Sequence, residues 1–360
     1  MTPAPSTAPT APPPLRPLLA PSLRRLWRDP HTLQLGVAPE RAVVLAGIDD
    51  SARLVLPLLD GTRDGEQVLH EAEARGCSRE RAARVLDLLH AAGALDDAAR
   101  AADLPVQLSL LERDRLGPDL AALRLLPGSD DTLRRRGAAR VVVHGAGRLG
   151  APLALLLACA GVGVLDVVDE GFVRPEDCGV GGFALAAVGA HRSAALRQLI
   201  NVAAPSARTA TIVTPHLVVL TPPAGSAVPP APLHDPSLLV RVVDGIGVVG
   251  PLAQPATSAC LRCLDLHRTD RDPGWPILAA QLSDDAGEVV ACDGALALAV
   301  ATQAAREALA FLDGNRAPGS LGGTLELAPT DWRWRRRSWQ VHPDCPCSFP
   351  TVLATPPGGR

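Results

Sequence analysis

Hydrophobic positions between residues 140 and 169 change from a strand pattern to a helical one and back. Arg140–His144 is rich in valine, an apolar segment of helical length follows, and a second valine-rich run ends at Asp169. Short apolar runs bounded by glycine are typical of buried strands. The pattern therefore predicts a strand–helix–strand unit, in which the helix connects two parallel strands.

Three glycines separate the first predicted strand from the helix, in the order Gly145-Ala-Gly147-Arg-Leu-Gly150. Gly145 allows a tight turn, Gly147 lets the backbone approach a phosphate, and Gly150 allows close packing of helix on strand. The helix N-terminus presents free N–H groups to an anion. Asp169 follows Gly150 by 19 positions, where a carboxylate can accept hydrogen bonds from ribose hydroxyls. We expect a Rossmann-like nucleotide-binding unit, with a ligand-free tight turn as the alternative.

The residues before this unit predict a separate small domain. Thr32–Leu35 and Ala42–Leu45 form a hairpin pattern, and a helix is expected from Ser78 to a glycine C-cap at Gly93. Short helices and a hairpin in about 80 residues are typical of an α+β, winged-helix-like fold.

Further elements are expected after the Rossmann-like unit. His216–Leu220 and Val240–Val249 are strand candidates, and Ala295–Leu312 is an apolar helix that we assign to the core. Trp332–Trp339 alternates tryptophan and arginine, which fits a solvated edge strand or an anion-facing patch. The predicted division is a disordered Pro-rich tail at 1–14, the small domain at 15–100, a linker at 101–120, the nucleotide-binding domain at 121–350 and a tail at 351–360.

Composition narrows the class of partner. The net charge of −3 and pI near 6.3 give no reason to expect nucleic acid or an anionic membrane. The amino terminus lacks the basic start and apolar centre of a signal peptide, and no apolar run reaches the length of a membrane span. We therefore expect a cytoplasmic protein. The sequence contains no tyrosine and no lysine, so lysine chemistry is excluded.

Two close cysteine pairs predict a metal site. Cys260 and Cys263 form a C-x-x-C pair, Cys345 and Cys347 form a C-x-C pair, and 81 residues lie between the two pairs. Four thiolates suit tetrahedral zinc, and a full ligand set points to a structural ion. Unliganded buried thiols are the alternative, with the nearby histidines 267 and 342 as reserve ligands. Cys292, before a predicted helix start, is a candidate for activation by the helix dipole, although burial explains it as well.

These motifs together resemble the ThiF family of ubiquitin-activating-enzyme-like adenylyltransferases. The resemblance rests on GAGRLG, on AGVG before VLDVVD, on the CxxC and on the late cysteine pair after an Ala-rich helix, and it covers roughly residues 130–350. It implies an α/β domain with a mostly parallel sheet, a four-cysteine zinc site, and adenylation of a peptide or small-protein carboxylate by ATP and Mg²⁺. Family members usually form homodimers.

The small domain resembles, on its LxLLDGT turn and following helices, the PqqD-like peptide-recognition module of thiazole/oxazole-modified peptide biosynthesis. In such systems this module grips a leader peptide by strand addition. The resemblance implies a role in modification of a ribosomal, bacteriocin-type peptide, beside a YcaO-type cyclodehydratase partner.

Carried over by position, the family's nucleotide site falls on Gly145, Gly147, Gly150 and Asp169. The family's catalytic lysine falls near Arg192, which keeps a cation for nucleotide binding and catalysis. This chain also departs from the family.

Asp177 stands where an asparagine is expected and no arginine follows it, and the segment ending at Thr221 holds no metal-binding carboxylate. Arg134–Arg136 is the candidate source of the arginine that the family contributes from the start of the domain.

Three functions remain open at this point. The first is an ATP-dependent adenylyltransferase, supported by the fold and zinc motifs. The second is a catalytically degenerate subunit that recruits a leader peptide for a partner cyclodehydratase, favoured by the missing carboxylate and arginine. The third, an NAD-dependent oxidoreductase, shares the glycine turn but leaves the cysteine pairs unexplained.

Overall fold

A computed structural model describes residues 15–99, 108–126, 131–222, 235–255, 257–284 and 291–348. The chain divides into two compact units, one of residues 1–106 and 113–130, the other of residues 107–112 and 131–360. The predicted tails at 1–14 and 351–360, and the first part of the predicted linker, lie outside the described residues. Within that linker, helix α4 spans Leu110–Arg115.

The first unit combines short helices with two small antiparallel sheets. The predicted hairpin is formed by β3 and β4, and β2 adds a third strand in the order β2-β3-β4, while β1 pairs with β5. Its α+β composition agrees with expectation, whereas the winged-helix topology stays a prediction. The elements are β1 Pro17–Leu19, β2 Arg25–Asp29, β3 Thr32–Leu35, β4 Val43–Ala46, α1 Asp50–Arg53, α2 Gly65–Ala74, α3 Arg79–Ala91, β5 Leu95–Asp97 and α5 Gly117–Arg124.

Local sequence explains where the two longer helices of this unit begin and end. The Asp64 carboxylate accepts a hydrogen bond from the Gln67 backbone N–H, and the Gln67 side chain accepts one from the Asp64 backbone, which is a complete capping box. Helix α3 is followed by Gly93 at φ +66°, the left-handed conformation that the sequence predicted there. Ser78 precedes α3, but its hydroxyl makes no capping hydrogen bond.

The second unit is built on an eight-stranded sheet in the order β13-β12-β11-β10-β9-β6-β7-β8. The strands β10, β9, β6, β7 and β8 are mutually parallel, and the remaining three extend the sheet antiparallel. This confirms an α/β fold with a mostly parallel central sheet. The elements are α6 Thr132–Ala138, β6 Arg140–His144, α7 Gly150–Cys159, β7 Val164–Val168, α8 Arg192–Ala203, β8 Arg208–Thr209, β9 Leu217–Leu220, β10 Ser237–Val243, β11 Ile246–Ala253, α9 Leu261–Arg271, α10 Trp275–Asp284, α11 Gly294–Asp313, β12 Gly323–Ala328 and β13 Arg333–Ser338.

Alternate residues of the central strands face two different cores. Val141 and Val143 of β6 join the main cluster, which includes buried residues of α7, α8 and α11. Val142 joins a smaller cluster on the other face with Leu239 of β10, against which Leu261 of α9 packs. Successive side chains of a strand point to opposite faces, and both faces of this sheet are buried. The central strands therefore need apolar residues at every position.

The prediction of a single strand over Val240–Val249 is wrong. The structure has two antiparallel strands, β10 and β11, joined at Asp244-Gly245. Both residues have positive φ, 51° and 76°, as a two-residue hairpin turn requires. An Asp-Gly pair flanked by apolar residues is a strong hairpin signal, and the apolar run obscured it.

Helix α11 is the one helix in the described part of the chain that is long and apolar enough to cross a membrane. Core packing accounts for its composition, since its buried residues contribute to the main cluster beneath the sheet. Its end is tied to α6 by a bidentate ion pair of Arg136 with Asp313, in which Nε–Oδ1 and Nη2–Oδ2 are both 2.7 Å. The core assignment of this segment is therefore confirmed.

Candidate functional site

The glycine turn lies at the carboxyl edge of the parallel strands and is held by a threonine. Thr221 follows β9, and its hydroxyl donates hydrogen bonds to the carbonyl oxygens of His144, at 3.0 Å, and Gly145, at 2.7 Å. A Cβ on Gly145 would lie 2.1 Å from the Thr221 carbonyl oxygen, and one on Gly150 would lie 1.9 Å from the Gly145 carbonyl oxygen. Both glycines are therefore required by packing alone.

Gly147 has a different environment from the other two glycines. A Cβ there would meet only the Oδ1 atom of Asp177, at 3.1 Å, among the described atoms within 4 Å. Packing therefore does not demand glycine at this position. Without a Cβ at Gly147, a phosphate can approach the backbone N–H groups just before α7, although a carboxylate oxygen of Asp177 lies close by.

Asp169 connects the glycine turn to the loop after β7 by hydrogen bonds. Its Oδ2 accepts a hydrogen bond from the Ala146 backbone N–H and its Oδ1 accepts one from the Gly171 N–H, both at 2.7 Å. The side chain is only 6 % exposed. Each carboxylate oxygen can accept a second hydrogen bond, so the predicted ribose contact stays a prediction.

Arg192 lies between two carboxylates at the start of α8. Its Nε and Nη2 atoms contact Oδ2 of Asp177 at 2.8 and 2.7 Å, and its Nη1 lies 3.8 Å from Oδ2 of Asp169. All three side chains are at most 10 % exposed, and one guanidinium against two carboxylates leaves a net negative charge. The structure thus brings the predicted residues Asp169 and Arg192 together, but Arg192 is already paired.

Asp177, which the sequence comparison set at the position of an expected asparagine, organises the loop that carries it. Besides Arg192, its Oδ2 accepts a hydrogen bond from the Arg174 backbone N–H at 2.9 Å. An asparagine would offer one neutral oxygen, whereas the carboxylate balances the charge of Arg192. The guanidinium of Arg192 therefore has a close, charged partner in this chain.

Arg148, inside the glycine turn, is a functional candidate that the sequence analysis missed. Its Nη1 donates to the Glu176 carbonyl oxygen at 2.6 Å, and its Nε is buried without a hydrogen-bond partner among the described residues. Within that same part of the chain it forms no ion pair. The sequence did offer a signal for Arg148: it is a cation at a variable position of the glycine turn, in a chain that has no lysine.

Cys292 lies beside Arg148, just before α11. Burial raises the pKa of the Cys292 thiol, the cation of Arg148 opposes this rise, and the charge of Asp293 adds to it. The net direction is upward, so the thiol stays protonated at neutral pH. The structure does not support activation of this cysteine by the helix dipole.

The two cysteine pairs meet at the start of α9. The Sγ–Sγ distances are 3.7 Å for Cys260–Cys263, 3.6 Å for Cys260–Cys345 and 3.3 Å for Cys263–Cys347, and all four sulfurs lie within 4.8 Å of one another. Four sulfurs around a tetrahedral zinc, with Zn–S bonds of about 2.3 Å, lie about 3.8 Å apart. The donor set therefore fits a metal of this kind.

Without a metal ion, two of these closely spaced thiols resist ionisation. Burial and the neighbouring thiols raise the pKa of Cys345 to about 11 and that of Cys347 higher still. Burial also opposes ionisation of Cys263, but backbone N–H groups, that of His342 first, lower its pKa overall. Four thiolates so close together are stable only if a metal ion compensates their charge.

Ring nitrogens of both His267 and His342 have hydrogen-bond partners outside the cysteine cluster. The ring of His342 contacts Oδ2 of Asp270 through Nε2, at 2.8 Å, while its Nδ1 accepts a hydrogen bond from the Asp344 N–H. The Nε2 atom of His267 lies 3.0 Å from the Gln340 carbonyl oxygen. These contacts hold the C-terminal segment against α9, and the His342 N–H donates to Cys263 Sγ at 3.4 Å.

The expected contribution of Arg134–Arg136 to the nucleotide site is not observed within the described part of this chain. These residues belong to α6, which precedes β6 and so lies at the opposite edge of the sheet from the glycine turn. Arg134 pairs with Asp131, while Arg135 and Arg136 bind the end of α11. Arg135 and Arg136 therefore satisfy groups at the C-terminus of α11.

Comparison with known families identifies a domain. The ThiF family profile matches residues 120–221, a span that contains the glycine turn, Asp169, Asp177, Arg192 and Thr221. The chain thus contains a ThiF-family domain that includes the whole candidate nucleotide site. A search of curated proteins finds no match.

Solved structures with the same fold cover nearly the whole chain. The crystal structure of E. coli MccB with ATP has a TM-score of 0.66 and 12 % identity, and the match covers 92 % of this chain and 99 % of MccB. MccB, a microcin C7 biosynthetic enzyme, in complex with N-formylated MccA gives the same values. PaaA matches with a TM-score of 0.63 and 15 % identity, covering 89 % of this chain and 99 % of PaaA. At these identities the likeness shows the fold alone.

Alanine substitutions distinguish packing glycines from the phosphate-facing one. Gly150→Ala places a methyl group against the Gly145 carbonyl, so we expect a loss of at least about 3 kcal/mol of stability, beyond ordinary overpacking. Gly147→Ala requires only a small shift of Asp177, so we expect a loss below about 1 kcal/mol together with weaker nucleotide binding. Thermal unfolding and calorimetric ATP titration check both. Equal destabilisation by the two variants would contradict the assignment.

Proposed function

We propose that this protein activates the carboxylate of a peptide by adenylation with ATP. The observation that carries the proposal is the glycine turn before α7 inside a ThiF-family domain, beside Arg148, a cation that has no ion-pair partner among the described residues. The match to structures of MccB supports the same reading, since that protein was crystallised both with ATP and with the peptide MccA. A ThiF-family domain favours this chemistry over hydride transfer.

In the proposed reaction a carboxylate oxygen attacks the α-phosphorus of ATP, and pyrophosphate leaves. Backbone N–H groups at the start of α7 bind the phosphates, and Arg148 neutralises the charge that develops on them. Arg192 acts by position, because it holds Asp169 and Asp177 against the glycine turn. The direct catalytic role that the sequence suggested for Arg192 stays a prediction.

Mg²⁺ is expected by resemblance, and the carboxylates of the site suit it only in part. Asp169 and Asp177 are oxygen donors of the kind that Mg²⁺ prefers, but both face Arg192. The segment after β9 offers the Thr221 hydroxyl where the family has a carboxylate. Magnesium would therefore be held mainly by the phosphates of the nucleotide.

A non-catalytic docking role is the second candidate function. It is favoured by the pairing of Arg192 with two carboxylates and by the hydroxyl, in place of a carboxylate, at Thr221. Such a protein would bind nucleotide or peptide without turnover and recruit a leader peptide through its amino-terminal unit. The cyclodehydratase partner, the homodimer and the cytoplasmic location all stay predictions.

Pyrophosphate exchange separates the two functions. With ATP, Mg²⁺ and a substrate peptide, wild-type protein is expected to incorporate labelled pyrophosphate into ATP. Arg148→Gln is expected to lower this rate at least about tenfold, because one charged contact to the phosphates is lost. Arg174→Gln is the matched control, since that side chain is 68 % exposed and its ion pair is with Glu176. Absence of exchange while ATP still binds would favour the docking role.

We also propose that the four-cysteine cluster holds a structural zinc ion. Cys260, Cys263, Cys345 and Cys347 would supply all four ligands, which leaves no position for a substrate. The ion would tie the segment after β13 to α9. It would therefore stabilise the second unit without taking part in the reaction.

Metal analysis tests the zinc proposal. We expect about one zinc per chain, and a loss of zinc with a clear fall in Tm for Cys345→Ser, because three ligands bind the ion less tightly. Cys178→Ser, outside the cluster, should keep the metal. Full zinc content in Cys345→Ser would contradict the assignment.

A further inference from the structure

Arg241 is a cation in the second unit whose charge is not balanced by an ion pair within the described part of the chain. It lies on β10, and Leu239, two residues earlier on the same face, belongs to the cluster against which Leu261 of α9 packs. Its Nε atom is sealed from solvent and, among the described residues, has no hydrogen-bond partner. The position of Leu239 places Arg241 on the α9 face of the sheet.

The surroundings of Arg241 are positive. Burial lowers its pKa, the charge of Arg268 lowers it further, and Asp265 opposes the shift. Asp265 is already engaged, because its Oδ1 contacts Arg268 Nη1 at 3.4 Å and the Trp275 indole N–H at 3.3 Å. Two cations thus share one carboxylate. A buried guanidinium in such a place is destabilising unless an anion pairs with it.

Two indole rings flank Arg268. Its guanidinium carbon lies 4.7 Å from the ring centroid of Trp275 and 6.0 Å from that of Trp339. A guanidinium stacked on a ring keeps its N–H donors free at its edge. Planar donors of this kind match the oxygens of a carboxylate or phosphate.

The location of Arg241 relates it to the nucleotide site. Leu239 is paired with Leu220 in parallel register, so Arg241 lies just beyond the level of Thr221, at the carboxyl edge of the sheet. Strand β9 separates β10 from β6, and two strand spacings amount to about 10 Å. An oxyanion held here would be a neighbour of the glycine turn, on the α9 face.

We propose that Arg241 and Arg268 form a second anion site, which binds a carboxylate or phosphate oxyanion near the glycine turn but separately from it. Both sources share the same recognition chemistry, bidentate contact with guanidinium groups. The inference stands apart from the proposed adenylation, because its test needs no ATP and no turnover.

Tryptophan fluorescence of the full-length protein tests the site, since Trp275 lies against Arg268. One arm titrates inorganic phosphate, and the other titrates N-acetyl-Ala-Ala-Glu with N-acetyl-Ala-Ala-Gln-amide as its neutral counterpart, all at constant ionic strength against chloride. We expect a saturable change with phosphate or with the acidic peptide, and the responding arm identifies the source. Arg241→Gln should weaken that binding at least tenfold.

Arg208→Gln, exposed on β8 at the far edge of the sheet, removes the same charge and should retain the response. Arg148→Gln, in the glycine turn, reports whether the anion binds there instead. No saturable change with either probe, or unchanged affinity in Arg241→Gln, would overturn the proposal. Loss of the response only in Arg148→Gln would also overturn it, by assigning the anion to the glycine turn.

A stability measurement separates anion binding from a structural role. Without added anion, Arg241→Met should keep or raise the Tm, because it removes an uncompensated charge from a partly buried position. A Tm lowered by several degrees would show that Arg241 has a stabilising role in the free protein, and would contradict the site.

Discussion

Arg192 bridges Asp169 and Asp177, and the geometry of the nucleotide site depends on this buried contact. Asp169 binds the backbone of the glycine turn, while Asp177 binds the backbone of the loop after β7. A single guanidinium therefore joins the ends of β6 and β7 to the start of α8. Removing the guanidinium would leave two buried carboxylates without compensation, which is costly.

Cations in the second unit serve two different purposes. Arg136 and Arg192 have carboxylate partners and are almost fully buried, so they stabilise the fold. Arg148 and Arg241 each have a buried Nε without a partner in the part of the chain that the structure describes, and both lie near the carboxyl edge of the sheet. Such cations, gathered at the edge where α/β proteins bind ligands, indicate anion recognition. The chain has no lysine, so arginine performs both tasks.

The sequence predicted the elements whose patterns are local and failed where tertiary contacts decide. The strand, glycine turn and helix at residues 140–159 follow from period and glycine spacing, and the cysteine cluster follows from ligand spacing. The pairing of Asp177 with Arg192 could not be foreseen, because the two are 15 positions apart and meet only when the loop folds back. The sequence also could not show that Thr221 leaves no room for a side chain at Gly145 or Gly150, because Thr221 follows a strand more than 70 residues further along the chain.

The roles of glycines show the same division. Spacing assigns Gly145 to a tight turn, Gly147 to the approach of a phosphate and Gly150 to packing of helix on strand, and contacts within the fold account for Gly145 and Gly150. Only Gly147 is left for a ligand. The motif is thus mainly a packing requirement, and a smaller part of it points to function.

A crystal structure of the protein with a non-hydrolysable ATP analogue tests the nucleotide assignment most directly. The phosphates are expected within hydrogen-bonding distance of the backbone N–H groups of residues 147–150, with Arg148 in contact and Arg192 still paired with Asp177. A nucleotide bound away from Gly147, or an analogue that does not bind at millimolar concentration, would contradict the assignment.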